Sequence, residues 1–326
     1  MVNMPPDLAD RTPYKFILYE KDSEDNRLVR ITMNRPEEMN ALSYNMFLDL
    51  RHGLISAERD PEVKVIIIKG AGRAFSAGYD LEASYDTKGL SPMIAHQDHI
   101  KYYHHDTWFT IWNLQKPVIA QVHGYAMAGA SELMTWCDVT IIADDAVTGY
   151  PPARSFSVPD SIYWPWLCGL KKGKYLCMSG DPVTGKEAAE IGLATMSVPP
   201  EKLEETVALV AKRLAMIPGE LLFLNKYACN KSMEIMGMRT AIEFNGQLHD
   251  YSHTFASAQE FGKINREKGL RAALEWRDNK FGNDLRNLRK MALEKGTDFN
   301  FPQVLSMPEV TESLEKYEAE RKKNKI

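Results

Sequence analysis

Two short segments rich in small residues carry the features from which chemistry can be inferred. One is GRAFSAGYDL at 72–81, and the other is KPVIAQVHGYAMAGASELMTWCD at 116–138. Each runs from an apolar strand through a small-residue turn into the start of a helix. Two such turns can direct backbone N–H groups towards one point, where they stabilise an oxygen that gains negative charge. Glu132 follows Gly129 by one helical turn, which brings a carboxylate beside that point.

The elements around these turns predict an α/β fold. Continuous apolar strands are predicted at 63–70, 117–124 and 139–144, which is the pattern of strands covered on both faces. An alternating strand at 27–33 precedes a helix that is predicted to begin at Ser43. Strands that alternate with helices indicate right-handed β-α-β crossovers, so the turns lie at the ends of buried strands.

Length, charge and apolar content argue against several other classes of protein. The chain has 326 residues, of which 44% are hydrophobic and 26% charged, so it can bury a large core. Its net charge of −4 provides no basic surface for nucleic acid or an anionic membrane. No apolar run reaches the roughly 20 residues that span a bilayer, and the start of the chain lacks a signal-peptide pattern. We therefore expect a cytoplasmic protein whose cysteines are reduced thiols.

These two segments, with NRPEEMNAL at 34–42, resemble the crotonase (enoyl-CoA hydratase/isomerase) superfamily over roughly residues 15–283. The resemblance implies a crotonase fold, with a repeated β-β-α spiral core and a C-terminal helical region that supports trimers or pairs of trimers. It also implies an acyl-CoA substrate, no cofactor beyond the coenzyme A of that substrate, and no metal. The expected divisions are an N-terminal arm over 1–14, the spiral core over 15–200, a helical trimerisation region over 201–284 and a charged extension over 285–326.

The resemblance also implies a role for individual residues. The backbone N–H groups of Tyr79 and Gly129 would form the oxyanion hole, and Glu132 has the position of the first catalytic glutamate of the hydratases. A carboxylate enclosed by apolar side chains has a raised pKa and exchanges protons near neutrality. Five residues are expected along the coenzyme A arm, namely Met39, Ala41, Ala77, Asp80 and Leu81.

The second hydratase glutamate is missing. The corresponding stretch is Thr148-Gly149-Tyr150-Pro151-Pro152, and a proline at 152 has no proton to exchange. Asp160 follows eight residues later, where dienoyl-CoA isomerases and chlorobenzoyl-CoA dehalogenases have a functional aspartate. The alternative for Asp160 is a helix N-cap before the aromatic residues that follow. We predict Glu132 and Asp160 as the proton-transferring pair.

Aromatic and basic side chains are expected at the acyl end of the site. Tyr125 and Tyr150 suit either a short pocket or a flat alicyclic or aromatic ring, although core packing is the alternative. Arg154 would bind an acidic substituent if it pointed inwards, and solvent exposure is the alternative. The histidine run at 96–106 lies where the resemblance places a variable cover over the acyl chain. We predict no metal there, because zinc needs three or four converging ligands, and keep an extra histidine base as an alternative.

Three functions remain open at this point. The leading interpretation is hydration or double-bond isomerisation of an α,β-unsaturated, bulky or cyclic acyl-CoA. The missing glutamate keeps open the hydrolysis of a carbon–carbon bond in a cyclic β-keto acyl-CoA or diketone. A non-catalytic subunit that binds acyl-CoA is the alternative of another class.

Overall fold

The computed structural model describes residues 11–82, 96–97, 99–282 and 308–323. Most of the predicted N-terminal arm, residues 1–10, lies outside the described residues, as does the first part of the charged extension, 285–307. The division into arm, core, helical region and extension stays a prediction.

The main sheet has six strands in the order β1-β2-β3-β4-β6-β9, and all neighbours are parallel except the antiparallel pair β1-β2. Its central strands are almost completely buried, as their continuous apolar sequences predicted. A smaller sheet has the order β5-β7-β8. The strands are β1 Ile17–Lys21, β2 Leu28–Met33, β3 Val65–Gly70, β4 Val118–Val122, β5 Tyr125–Met127, β6 Val139–Ala143, β7 Val147–Gly149, β8 Val183–Thr184 and β9 Met196–Val198.

Helices cover the sheets and make up most of the chain after β9. A π-helix at Ile100–His105 continues directly into α2, and short 3-10 helices lie at Pro36–Glu38, Pro151–Arg154, Pro200–Lys202 and Asn279–Phe281. The α-helices are α1 Tyr44–Arg59, α2 Asp106–Asn113, α3 Gly129–Trp136, α4 Trp164–Cys168, α5 Leu170–Ser179, α6 Gly185–Glu190, α7 Leu203–Ala215, α8 Gly219–Ile235, α9 Met238–Ser252, α10 Ala256–Lys268, α11 Leu270–Asp278 and α12 Pro308–Lys323.

The predicted helix after Ser43 is confirmed as α1. The Ser43 hydroxyl accepts a hydrogen bond from the backbone N–H of Met46, which satisfies one of the free donors at the start of the helix. Asp60 ends the helix before Pro61, where a proline ring would block another turn. Phe47 and Leu50 are fully buried, so α1 packs along β1 and β2 and fixes the turn that precedes it.

The C-terminal helices expose large apolar side chains. Leu224 of α8 and Phe244 of α9 are more than half exposed, and Ile235 is 85% exposed. Apolar surface of this kind is typical of an area covered by another chain, so trimer formation stays a prediction for this region. Within the described residues, we find no helix that combines the length and apolarity needed to cross a bilayer.

Candidate functional site

The turns after β3 and β4 pack directly against each other. Gly78 has φ +95°, and a Cβ added there would lie 2.3 Å from the carbonyl oxygen of Met127 and 2.9 Å from Cβ of Ala128. Only glycine fits so close an approach. Ala128 has φ 50°, which is strained for a residue with a Cβ. The two turns are therefore held together at the expense of unfavourable backbone geometry, as is common at functional sites.

Backbone hydrogen bonds fix the relative position of the turns. Ser76 N–H donates to the carbonyl of Tyr125 over 3.0 Å, and Met127 N–H donates to that of Ser76 over 3.2 Å. Within the described part of the chain, the N–H groups of Tyr79 and Gly129 have no acceptor. Gly129 begins α3, whose first N–H groups lack intrahelical partners and carry the positive end of the helix dipole.

Glu132 lies on the first turn of α3 and is only 1% exposed. Its Oε1 accepts hydrogen bonds of 2.9 Å from both the backbone N–H and the hydroxyl of Ser161. Its Oε2 accepts one of 2.7 Å from the Tyr79 hydroxyl. Burial, followed by the negative charge of Asp160, raises the pKa of Glu132 well above its ordinary value. Of the two carboxyl groups, Glu132 therefore holds its proton more tightly than Asp160.

Asp160 is fully buried beside Glu132. Its Oδ2 lies 2.9 Å from the oxygen of the Tyr79 hydroxyl, whose single hydrogen can go to either carboxylate, and 2.5 Å from Nδ1 of His104. Burial alone would raise the pKa of Asp160, but the hydrogen bond from His104 outweighs burial and holds that pKa well below its ordinary value. Burial lowers the pKa of His104 in turn, so a neutral imidazole donates from Nδ1 to an ionised carboxylate.

The ring of Tyr79 lies beside the carboxylates and also lines the neighbouring cavity. It packs closely on Gly129, where an added Cβ would meet ring carbons at 2.5 Å. The ring also stacks on His104, with ring centroids 4.3 Å apart and planes 14° from parallel. The cavity has a volume of about 260 Å³ and is also lined by Leu42, Leu81, Phe156 and other side chains. Tyr79, Glu132, Asp160 and His104 are called the carboxylate cluster below.

The structure also brings together most residues expected along the coenzyme A arm. Ala77 N–H donates to the carbonyl of Met39 over 2.8 Å, which joins the turn at 36–41 to the turn after β3. Arg35 donates from Nη1 to Asp80 Oδ2 and to the carbonyl of Ala41, at 2.8 and 3.1 Å. Leu81 lines the cavity itself.

Other predicted residues lie elsewhere or have different partners. Arg154 forms a buried ion pair of 2.8 Å with Asp181 and lies 4.1 Å above the ring of Phe281, so it does not join the carboxylate cluster. Tyr150 is fully buried and donates its hydroxyl to the carbonyl of Val158 over 3.1 Å. Tyr125 lies half-buried at the start of β5.

Asp160 is not the helix cap that was its alternative interpretation, because α4 begins four residues later and has no side-chain cap. Pro152 is buried in a 3-10 helix, so no glutamate lies at that point of the site. Two contacts were not predicted from the sequence: the hydrogen bond between His104 and Asp160, and the contact of the Tyr79 hydroxyl with both carboxylates. The only sequence signal for the first was the histidine run at 96–106, where a histidine base had been kept as an alternative.

The chain matches a known protein family. The family model of enoyl-CoA hydratase/isomerase matches residues 23–284. The chain belongs to the enoyl-CoA hydratase/isomerase family. This confirms the resemblance to the crotonase superfamily and the expectation of an acyl-CoA enzyme.

Individual members of the enoyl-CoA hydratase/isomerase family are similar over most of their length. A probable enoyl-CoA hydratase from Bacillus subtilis (strain 168) is 30% identical over 264 residues, which cover 79% of this chain and 96% of that protein. A crotonyl-CoA hydratase from Syntrophomonas wolfei is 32% identical over 226 residues, 68% of this chain and 84% of that protein. The crystal structure of an enoyl-CoA hydratase/isomerase from Xanthobacter autotrophicus Py2 has a TM-score of 0.77 at 34% identity and covers 82% of this chain and 99% of that one. The predicted crotonase fold is confirmed.

Proposed function

We propose that this enzyme hydrates or isomerises the double bond of an α,β-unsaturated acyl-CoA with a bulky or cyclic acyl group. The observation that carries the proposal is the pair of buried carboxylates, Glu132 and Asp160, joined through the Tyr79 hydroxyl beside two packed turns. One carboxylic acid and one carboxylate within reach of the same group provide a proton donor and a proton acceptor.

The thioester oxygen accepts hydrogen bonds from the backbone N–H groups of Tyr79 and Gly129. Neither N–H group has an acceptor among the described residues, which supports this role, because each donor is available to an oxygen between the two turns. Both donors and the positive end of α3 stabilise negative charge as the thioester becomes an enolate.

Glu132 and Asp160 move the protons. In isomerisation, ionised Asp160 removes a proton from the γ carbon, and the electron pair moves through the double bond onto the thioester oxygen. Protonated Glu132 then delivers a proton to the α carbon as the enolate collapses. The Tyr79 hydroxyl, within 2.9 Å of both carboxylates, passes a proton from Asp160 to Glu132 and restores the starting state.

Hydration uses the same groups on water. The carboxylate takes a proton from a water molecule whose oxygen adds to the β carbon, and the carboxylic acid protonates the α carbon. The acyl group occupies the cavity of about 260 Å³ and reaches these groups when the Tyr79 ring moves away from Gly129. The ring returns to the carboxylates after the product leaves. The volume of the cavity and its aromatic walls support a ring-sized acyl group rather than a long chain.

The test is an assay on a panel of acyl-CoA thioesters in H₂¹⁸O followed by mass spectrometry. The panel contains linear enoyl, dienoyl, cyclohexenyl and cyclic β-keto thioesters. Gain of one labelled water with the carbon skeleton intact identifies hydration, and a shifted double bond without label identifies isomerisation. No reaction across the panel contradicts the proposal and favours a subunit that only binds acyl-CoA.

A second function is favoured by one observation, the short hydrogen bond between His104 and Asp160. Because Nδ1 donates to the carboxylate, the lone pair of Nε2 remains for a water molecule, and this nitrogen has no partner among the described residues. Such a histidine would activate water for retro-Claisen cleavage of a cyclic β-keto acyl-CoA or diketone. In the same panel, this activity would place the label in a new carboxylate and open the ring.

A further inference from the structure

Three histidines outside the carboxylate cluster converge on one point. His249 lies on α9, His253 caps the C-terminal end of that helix, and His96 lines the same cavity as both. One nitrogen of each ring lies within 4.8 Å of the others. Their ring centroids are between 4.5 and 5.6 Å apart. We call these residues the histidine triad.

Hydrogen bonds to the Nδ1 atoms orient two of the three rings. His249 Nδ1 donates to the backbone carbonyl of Val158 over 2.6 Å, so its Nε2 carries the lone pair. His96 Nδ1 forms a short hydrogen bond with the carboxylate of Asp250, which leaves Nε2 as its available nitrogen. A carbonyl or carboxylate behind a histidine is the arrangement that fixes ring and tautomer in metal sites.

The spacing of the nitrogens fits a small tetrahedral ion. Nε2 of His253 lies 3.2 Å from Nε2 of His249. Two nitrogens bound to one tetrahedral zinc at about 2.0–2.1 Å are separated by about 3.3 Å. The His96 nitrogen must move closer to the other two to share an ion with them. A side-chain rotation can do this, because the His96 ring is partly exposed and lies next to the His253 ring.

The histidine triad faces the cavity beside the carboxylate cluster. All three rings line the cavity that Tyr79 and His104 also line, so a further coordination position would face that cavity.

We propose that His96, His249 and His253 bind a zinc ion, with a fourth coordination position open to the cavity beside the carboxylate cluster. The set of three imidazoles and one open position is typical of zinc, and imidazole donors suit it better than calcium or magnesium. A zinc ion bound there would link the C-terminal end of α9 to His96. Zinc binding at this site does not depend on which reaction the enzyme catalyses.

A simpler arrangement would be a direct hydrogen bond between His253 and His249 without metal. In that case one Nε2–H would donate to the other Nε2, and their 3.2 Å separation would suit that bond equally. A hydrogen bond between His249 and His253 alone does not account for the contact of His96 with Asp250 beside them. The two alternatives differ in whether zinc binds at all, and this is measurable.

The test titrates full-length metal-free protein with Zn²⁺ alone by isothermal calorimetry and measures bound zinc after dialysis. We expect one zinc per chain, a loss of at least about tenfold in affinity in His253→Ala and His249→Gln, and a higher melting temperature with zinc only in proteins that keep the triad. His123→Ala is the matched control, because His123 is a partly buried histidine outside the triad that contacts the carbonyl of Gly72. Absence of stoichiometric zinc, or equal affinity in all four proteins, would overturn the proposal.

A second readout guards against a variant that fails to fold. Co²⁺ bound to the unaltered protein should give the intense visible absorption bands of a four-coordinate site, and added imidazole should shift them if a position is open. Weak bands typical of six-coordinate cobalt would contradict the tetrahedral site. This measurement needs no substrate, so it is independent of the proposed hydratase or isomerase activity.

Discussion

Nδ1 of His104 lies 2.5 Å from Oδ2 of Asp160, and both side chains are buried. This contact decides which of two neighbouring carboxylates carries the proton. Two enclosed carboxylates cannot both ionise readily, and His104 stabilises the charge on Asp160 alone. Among the described residues Glu132 accepts no hydrogen bond from an imidazole, so it is left as the acid. An unsymmetrical pair of this kind suits a site in which one proton must be removed and another delivered.

Replacing His104 by alanine should therefore destabilise the fold. It leaves the Asp160 carboxylate buried without its partner, and breaking a buried pair in this way costs about 3–5 kcal/mol. Urea denaturation at pH 7 measures the loss of unfolding free energy. The double variant His104→Ala/Asp160→Asn should recover part of the lost unfolding free energy, since the asparagine amide carries no charge. A His104→Ala protein as stable as the unaltered one would contradict the pairing.

The Glu132→Gln variant should be more stable than the unaltered enzyme at neutral pH. The folded-state pKa of Glu132 is raised, so its stabilising contribution is full below the unfolded pKa of about 4.3 and is lost as pH rises through the folded pKa. The glutamine carbonyl can still accept from Ser161, and its amide can donate to Asp160. Melting temperatures between pH 4 and pH 8 should show an advantage of the variant that grows with pH. A constant difference across this range would exclude a raised pKa.

Replacing Tyr79 by phenylalanine should shift the pH dependence of the reaction. The hydroxyl donates to Glu132 and lowers its pKa, partly offsetting burial, so its removal raises that pKa further. Because Glu132 acts as the proton donor, the basic limb of kcat/KM against pH should move to higher pH.

Tyr14→Phe is the control for this shift. It removes a hydroxyl that lies 2.7 Å from His52, in a separate part of the fold. Its pH profile should match that of the unaltered enzyme. If Tyr79→Phe gave the same profile too, the hydroxyl would have no part in the proton transfer.

Gly78→Ala should lower kcat. Its effect on stability should be limited to the strain of an alanine at φ +95°. The added methyl group would lie 2.3 Å from the Met127 carbonyl, so the turn must move and carry the Tyr79 N–H with it. Loss of one oxyanion donor reduces kcat by about 10²–10³. Gly237→Ala is matched to it, because Gly237 has φ +91° but open space around its Cα. Equal kcat in the two variants would argue against the paired-turn oxyanion hole.

Local patterns predicted much of the fold, because they depend on near neighbours. The apolar runs at 63–70 and 117–124 became β3 and β4, and Ser43 caps α1. Glu132 was found beside the turns because it lies one helical turn from Gly129. These features are encoded within a few residues, and the sequence shows them directly.

Contacts between distant segments could not be read in the same way. His104 is separated from Asp160 by 56 residues and His96 from Asp250 by 154. His249 and His253 lie far from the run at 96–106 in sequence, so that run alone could not show their proximity to His96. Arg154 was placed near the substrate by sequence position, yet its ion pair with Asp181 depends on how α5 packs.

The measurement that tests the central claim most directly is turnover by Glu132→Gln on the best thioester of the panel, with binding of the saturated analogue measured separately. Because loss of a positioned proton donor costs about 10²–10⁴ in rate, kcat should fall by at least about a hundredfold while the dissociation constant changes less than about threefold. In D₂O, incorporation of deuterium at the α carbon should fall to the same extent. Unchanged turnover in Glu132→Gln would contradict the account.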